Sequence, residues 1–277
     1  MKHLMRPAFA CLLMMASMGA DTRAVDSPAK PGAVTAIDVL LEPDAAMLQH
    51  SEANNARLRK VFPTGFSLDA THRPHITIVQ RFVRTADLEK LYAAVGKVLA
   101  GTNVTGMKLE AFKYYFIPMK DTGLAGIVVR PTPELLKLQQ DVIAAVTPFT
   151  VPRGDSAAFV TTPEDPVIDP SLIDYVSAFV PKSSGEHFNP HVTTGVAPRE
   201  YLDQMLAEPF QPFTFSAAGT AVYQLGQFGT AAKEAQGVGF EALRRALLTV
   251  RALPAREASR VCIRLSDTGL GHVALSL

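Results

Sequence analysis

Two short segments of the sequence combine residues that could carry out acid–base chemistry. The first reads RPHITI over 73–78 and the second reads NPHVTT over 189–194. In both, a proline precedes a histidine and a threonine follows the histidine two residues later. One such segment would mean little in a chain with seven histidines. Two copies with the same proline and threonine indicate a duplicated site.

The spacing within each segment predicts a strand that presents both polar side chains on one face. Side chains alternate along a strand, so His75 and Thr77 share a face, as do His191 and Thr193. Proline is tolerated at the first position of a strand, where its missing N–H breaks no ladder hydrogen bond. If the fold brings the two strands together, two imidazoles and two hydroxyls surround one small volume.

Such a constellation is suited to chemistry at a phosphorus atom. Two histidines in opposite protonation states could act as base and acid on its two sides, while two hydroxyls hold the non-bridging oxygens. This chemistry requires no metal. Arg73 and Asn189, two residues before each histidine, are candidate substrate-binding residues on the same face. Tyr115, in the aromatic run 114–116, is a further candidate for stacking against a base, although such a run is more often part of a core.

Additional histidines beside both motifs raise the alternative of a zinc site. His72 and His187 create the spacings H-x-x-H and H-x-x-x-H. An i, i+4 pair binds a metal from a helix, but Pro190 disfavours a helix there, and along a strand this spacing separates the two histidines by about 13 Å. We therefore expect no metal and no other cofactor, with His72 and His187 in loops beside the cleft.

Strand and helix patterns alternate along the chain. Strands are predicted over 34–43, 73–83, 107–118, 123–131, 190–197 and 213–229, and helices over 44–62, 85–101, 132–149 and 198–208. Asp44, Thr85 and Thr132 are predicted helix N-caps, and Gly101 is predicted to end the second helix. The repeated order of strand and helix predicts an α+β fold with an approximate internal repeat.

The start of the chain has the features of a secretory signal. Lys2 and Arg6 precede an uncharged run over 7–20, and small residues follow it. That run is shorter than the roughly 20 residues that span a bilayer as a helix. We predict a signal over 1–24 that is cleaved after Ala24, with Ala20 as the alternative. The protein is then exported, most simply to a bacterial periplasm.

The rest of the chain divides by composition into a linker, a domain and a tail. The linker covers 25–33, the domain covers 34–235 with an insertion or lid at about 150–186, and an atypical arginine-rich tail covers 236–277. A net charge of +1 provides no global basic field for duplex nucleic acid or an anionic membrane. A local patch would suffice for a small phosphate ester or a single-stranded RNA end. We expect a monomer.

The paired motifs resemble those of the two-histidine (2H) phosphoesterase superfamily, which is defined by two H-x-T-x motifs in a pseudo-symmetric two-lobed fold. Here the motifs are HITI over 75–78 and HVTT over 191–194, and the resemblance spans roughly 34–235. The chain looks most like the branch named for bacterial 2′-5′ RNA ligase and RNA 2′,3′-cyclic phosphodiesterase. The resemblance implies two lobes around a central cleft, each with an antiparallel-rich sheet flanked by helices.

The same resemblance implies metal-independent hydrolysis of an RNA or nucleotide 2′,3′-cyclic phosphate. In this interpretation His75 protonates the leaving ribose oxygen and His191 activates water, which leaves a 2′-phosphate. Two alternatives stay open on the same fold: 2′-5′ RNA ligase activity, and a non-catalytic protein that binds phosphate or a nucleotide. The long insertion between the motifs and the predicted export signal both depart from the pattern of this branch.

Overall fold

The computed structural model describes residues 32–237, with side chains to 235. The predicted signal over 1–24, nearly all of the linker and nearly all of the arginine-rich tail lie outside the described residues. Within the described part of the chain, no helix has the length and apolar character needed to cross a bilayer.

Strands and helices follow one another in an α+β order, as the sequence predicts. The strands β1 to β8 are Val34–Pro43, Ile76–Arg84, Leu109–Pro118, Thr122–Val129, His191–Pro198, Phe213–Phe215, Ala217–Leu225 and Ala231–Gly237. The helices α1 to α5 are Ala45–Val61, Leu88–Ala100, Pro133–Val146, Pro170–Ser183 and Arg199–Ala207. All eight strands form one sheet in the order β6-β3-β4-β5-β2-β1-β7-β8, and neighbouring strands are antiparallel.

The sheet consists of two four-stranded halves that meet between β2 and β5. The first lobe contains β2, β1, β7 and β8, and the second lobe contains β5, β4, β3 and β6. A single pair of residues, Ile76 and Val192, joins the two lobes in the sheet. The predicted arrangement of two antiparallel lobes is therefore confirmed, and each lobe contributes its motif strand to the junction.

Both motif strands contain a bulge directly after the motif threonine. In the first lobe the pairing of β1 with β2 skips Ile78, the residue after Thr77. In the second lobe the pairing of β4 with β5 skips Thr194, the residue after Thr193. An extra residue changes the face on which all later side chains of the strand lie. The two lobes therefore share this irregularity as well as the motif.

The matching bulges allow the two lobes to be compared position by position. A row here is one pair of residues that face each other on neighbouring strands. In the first lobe, the second row after that of Thr77 pairs Gln80 with Asp38. Two rows beyond the threonine of the second lobe, Val196 pairs with Leu124. A polar pair in one lobe thus corresponds to an apolar pair in the other.

The main core lies on one face of the sheet. Residues of α1, α2 and α3 pack there against inward-facing strand residues such as Ile37, Ile76 and Val192, and α5 packs with α1 against β4 and β5. Burying each such side chain stabilises the fold by about 1.5–3 kcal/mol. The opposite face of the first lobe is covered by α4, where Val176 packs with Phe82. Beside the junction of the lobes, the same face carries His75 and Thr77 and forms the floor of a cleft.

Two of the three predicted helix caps are confirmed. Asp44 accepts hydrogen bonds from the amides of Ala46 and Met47, and Thr132 accepts one from the amide of Leu135. The third was wrong, because Thr85 begins a short 3₁₀ turn and α2 starts only at Leu88. The hydroxyl of Thr85 is instead bonded to the hydroxyl of Thr35 at 2.8 Å.

The segment predicted as one strand over 213–229 forms two strands in different lobes. β6 pairs with β3 in the second lobe, whereas β7 pairs with β1 in the first. The chain crosses between the lobes at Ser216, whose amide donates to Asp44 Oδ2 at 2.8 Å. Both halves of the segment have strand-forming residues, so composition alone does not reveal the crossing.

Candidate active site

The residue pair that joins the lobes also brings the two motifs together. Ile76 and Val192 lie opposite each other and point into the main core. Since side chains alternate, the residues before and after them point to the other face of the sheet. There, four motif side chains line one cleft of about 370 Å³: His75, Thr77, His191 and Thr193.

Each motif histidine is held by a hydrogen bond from its ring to the backbone carbonyl two residues earlier. Nδ1 of His75 donates to the carbonyl oxygen of Arg73 at 2.7 Å, and Nδ1 of His191 donates to the carbonyl oxygen of Asn189 at 2.8 Å. A carbonyl oxygen can only accept, so Nδ1 carries a proton in both rings. Each ring therefore gains or loses its second proton at Nε2.

In the first lobe, a carboxylate lies beside the reactive nitrogen. Asp38 is fully buried. Its Oδ2 lies 3.4 Å from Nε2 of His75 and accepts hydrogen bonds from Thr77 at 2.7 Å and Gln80 at 2.9 Å. Burial alone lowers the pKa of His75, but the hydrogen bond and charge of Asp38, with the Arg73 carbonyl, outweigh burial and leave this pKa raised.

The surroundings of His191 have the opposite effect. Burial lowers the pKa of His191, and the charge of nearby His75 lowers it further, while the Asn189 carbonyl and the more distant Asp38 offset only part of this. The hydroxyl of Tyr115 lies 3.1 Å from Nε2 of His191. Burial raises the pKa of Tyr115, so its hydroxyl stays protonated and donates to the nitrogen lone pair.

The two motif threonines also differ between the lobes. Thr77 donates its single hydroxyl proton to Asp38. Thr193 lines the cleft, and within residues 32–237 its hydroxyl proton is not donated to another group. Both hydroxyls can accept a hydrogen bond, but only that of Thr193 can donate one to a ligand without breaking an existing contact.

The walls of the cleft are apolar or carry neutral polar groups, apart from one acid. The remaining lining residues are Gln80, Ile117, Pro118, Met119, Leu124, Asp169, Ser171, Leu172, Tyr175, Gln227, Phe228 and Gly229. Of the described residues, no lysine or arginine lines this cleft. Positive charge in the cleft therefore comes from the protonated form of a motif histidine.

The predicted insertion supplies one wall of this cleft. Asp169 caps α4 by accepting from the amide of Ser171 at 2.7 Å, and the first turns of α4 carry Leu172 and Tyr175 to the cleft. Next to them lies the turn at 227–229, where Gln227 Oε1 accepts from the amide of Asp169 at 2.9 Å and Phe228 has a φ of 63°, an uncommon conformation for a bulky residue. The start of α4 and this turn together line the same side of the cleft.

The three predicted substrate-binding residues lie in different surroundings. Tyr115 contacts His191 directly. Arg73 and Asn189 contribute their carbonyl oxygens, but neither side chain lines the cleft: the guanidinium of Arg73 lies 2.8 Å from the hydroxyl of Tyr223, and Asn189 is exposed. The alternation that predicted a shared face holds only within a strand, and both residues precede their strand.

The additional histidines take part in other contacts. His72 bridges two carboxylates, with Nε2 at 2.9 Å from Asp165 and Nδ1 at 3.1 Å from Asp69. Because Asp165 lies in the segment predicted to be an insertion, this contact connects that segment to the loop before β2. His187 is exposed beside Glu186. Among residues 32–237, no three or more histidine, cysteine, aspartate or glutamate side chains are grouped so that they could hold a metal ion.

Asp38 and its partner Gln80 belong to the site but were not among the residues predicted from the sequence. A signal was present, because Asp38 interrupts an otherwise apolar strand over 36–41. A carboxylate in such a strand is costly to bury unless it has partners. Its presence therefore points to a polar site, although only the fold shows that the partners are His75 and Thr77.

Three solved structures are similar to the chain at low sequence identity. TT0787 of Thermus thermophilus is 14% identical, covers 74% of this chain and 97% of its own, and has a TM-score of 0.45. Kluyveromyces marxianus Usb1 with uridine monophosphate is 10% identical, covers 69% of this chain and 94% of its own, and has a TM-score of 0.37. E. coli LigT complexed with phosphate is 11% identical, covers 69% of this chain and 87% of its own, and has a TM-score of 0.29. No family model matches the sequence, and no curated protein does. With TM-scores of 0.45 or less, these likenesses do not assign a function.

Proposed function

We propose that the protein is a 2H phosphoesterase that hydrolyses a cyclic phosphodiester without a metal. RNA or nucleotide 2′,3′-cyclic phosphate is the proposed substrate class. One observation carries the proposal: a single cleft contains two histidines with the same backbone anchor and with pKa values shifted in opposite directions. Together with the predicted signal over 1–24, the proposal is of an exported enzyme.

The proposed reaction assigns one proton transfer to each histidine. Water displaces the Tyr115 hydroxyl from Nε2 of neutral His191. That nitrogen then accepts a proton from the water while the water oxygen forms a bond to phosphorus. His75, protonated, donates its Nε2 proton to the ribose 3′ oxygen as the bond from that oxygen to phosphorus breaks, which leaves a 2′-phosphate. The hydroxyl of Thr193 donates to a non-bridging oxygen as charge develops. Proton exchange with solvent then restores both histidines.

The opposite pKa shifts make this protonation state the dominant one. General acid–base catalysis needs the acid protonated and the base neutral at the same pH. The raised pKa of His75 extends its protonated range above 6.5, and the lowered pKa of His191 extends its neutral range below 6.5. Between the two values the productive state therefore prevails, which would not be so if the shifts were reversed.

The charge of the cleft also supports a cyclic diester as the ligand. A cyclic phosphodiester carries one negative charge, whereas the monoester product gains a second with a pKa of about 6. The described lining contains no lysine or arginine, and Asp38 and Asp169 lie in or beside it. One protonated histidine matches the charge of the substrate better than that of the product, which favours product release.

Turnover of a 2′,3′-cyclic nucleotide by the purified protein tests the proposal. We expect conversion to the 2′-monophosphate, monitored by chromatography and phosphorus NMR, and we expect it to persist with a chelator. His75→Ala and His191→Ala should each abolish it. Binding of the nucleotide without turnover would instead indicate a non-catalytic binding protein. Activity in only the joining direction, with 2′-5′ linkage of RNA ends, would indicate a ligase.

A further inference from the structure

A buried carboxylate in the first lobe has no part in the proton transfers proposed above. Asp38 has an exposed fraction of 0%, and within residues 32–237 its Oδ1 has no hydrogen-bond partner. A buried charge is costly unless other groups compensate for it. The groups that compensate for this charge are the ones in contact with the other oxygen, Oδ2.

All contacts of Oδ2 lie within the candidate site. The oxygen accepts from Thr77 at 2.7 Å and from Gln80 at 2.9 Å, and it lies 3.4 Å from Nε2 of His75. Gln80 is also the direct strand partner of Asp38 in the sheet. Both hydrogen-bond donors are on β2, the strand that follows His75, so they hold the carboxylate against the motif strand.

The second lobe lacks this arrangement at the equivalent positions. Leu124 and Val196 occupy the rows that correspond to Asp38 and Gln80. Leu124 lines the cleft, yet it offers neither charge nor a hydrogen bond. The motif, the carbonyl anchor and the bulge are common to both lobes. What differs at Nε2 is the Asp38 carboxylate beside His75 and the Tyr115 hydroxyl beside His191, and only the carboxylate carries a charge.

We propose that Asp38 is a positioning residue that fixes His75 as the acid of the reaction and thereby leaves His191 as the base. The role in turnover rests on the proposed function, whereas the pairing of Asp38 with His75 does not. The carboxylate stabilises the protonated ring before the reaction. When His75 transfers its proton to the leaving oxygen, Asp38 stays ionised and keeps its hydrogen bonds from Thr77 and Gln80.

The test is an NMR titration of the His75 ring in the full chain. Asp38→Asn keeps the size of the side chain and an oxygen that accepts from Thr77, but it removes the charge. The titration midpoint of His75, assigned by loss of its signal in His75→Gln, should fall by about 1–3 pH units. Asp165→Asn, which alters a carboxylate beside His72, is the matched control and should leave the His75 midpoint unchanged.

The pH dependence of kcat provides a second readout that a purely structural role would not alter. In Asp38→Asn the alkaline limb of the profile should move to lower pH by the same amount as the NMR midpoint, while the acidic limb moves less. An unchanged His75 midpoint in a folded Asp38→Asn variant would overturn the inference. So would a wild-type midpoint at or below 6.5, which needs no variant to fold. A shifted midpoint in a protein that turns over no cyclic phosphate would refute the proposed function and leave the pairing intact.

Discussion

The two lobes contain the same histidine–threonine motif, but different residues surround it. Each has a histidine anchored through Nδ1 to a backbone carbonyl, a threonine on the same face and a bulge after that threonine. They differ two rows away, where Asp38 stands in the first lobe and Leu124 in the second. The duplicated segment thus provides the geometry. Asp38 raises the pKa of His75, whereas His191, which lacks an equivalent carboxylate, has its pKa lowered by burial.

The largest expected effects come from the histidines themselves. His75→Gln and His191→Gln should each reduce kcat by about 10²–10⁴, the usual contribution of a general acid or base. They should also differ in pH dependence: without His75 the alkaline limb should disappear, and without His191 the acidic limb should disappear. His187→Gln, an exposed histidine near the second motif, should behave like wild type. Loss of the same limb in both motif variants would contradict separate roles.

Substitution of the two motif threonines should have different effects: one mainly on activity and the other on the stability of the fold. Thr193→Val removes a free donor and should reduce kcat by about 10²–10³, with little change in the free energy of unfolding. Thr77→Val deprives buried Asp38 of a partner and should lower the free energy of unfolding by about 1–3 kcal/mol. Kinetics together with urea denaturation of both variants measures this. Equal losses of kcat and of stability in the two variants would show that the lobes do not differ in this respect.

Placing a carboxylate in the second lobe should weaken the base. Leu124→Asp puts a negative charge at the position equivalent to Asp38 and should raise the pKa of His191, since an opposite charge favours the protonated ring. We expect kcat near pH 6.5 to fall by about 10- to 100-fold and to recover toward alkaline pH. Leu124→Asn has the same size without the charge and serves as the control. A pH-independent loss in both variants would indicate disturbed packing instead.

The free energy of unfolding should depend on pH through the contact between His75 and Asp38. Because the pKa of His75 is raised on folding, its pairing with Asp38 stabilises the folded protein fully below the unfolded-state value of 6.5. This contribution is lost as the pH rises through the higher folded-state pKa, by about 1.4 kcal/mol for each unit of difference. Urea denaturation should therefore show a gap between wild type and His75→Gln that narrows with rising pH. A gap that is constant with pH would exclude this linkage.

The smallest expected effect concerns the hydroxyl on His191. Tyr115→Phe removes the donor to Nε2 but keeps the ring, whose centroid lies 4.8 Å from that of the imidazole. Because this hydrogen bond occupies the lone pair with which His191 accepts the proton, we expect kcat to rise by about three- to tenfold, the value of one neutral hydrogen bond. Phe116→Leu, on the neighbouring position of β3, is a control for packing. A loss as large as that of His191→Gln would mean that Tyr115 has a direct role in the reaction.

Local patterns made much of the fold predictable. The alternation in β1, the caps Asp44 and Thr132 and the two x-Pro-His-x-Thr segments all depend on neighbouring residues, and they are found at the predicted places. The division of 213–229 between two lobes depends on which strand each half pairs with. That choice is decided by long-range packing, which strand propensity does not report.

The neighbours of the motif histidines were less predictable, for a related reason. Asp38 and His75 are far apart in sequence, and the bulge at Ile78 decides that Gln80 faces them. A bulge is hard to predict from residue type, and it inverts the face assignment of everything beyond it. For Arg73 and Asn189, the strand alternation was applied to residues that precede the strand. The motif was therefore visible in the sequence, whereas the residues that give its two histidines different surroundings were not.

The most direct test of this account is a titration of both motif histidines in the wild-type protein by NMR, with His75→Gln and His191→Gln for assignment. We expect two separate midpoints, that of His75 above 6.5 and that of His191 below 6.5. A common midpoint, or midpoints in the reverse order, would contradict the assignment of acid and base to the two lobes.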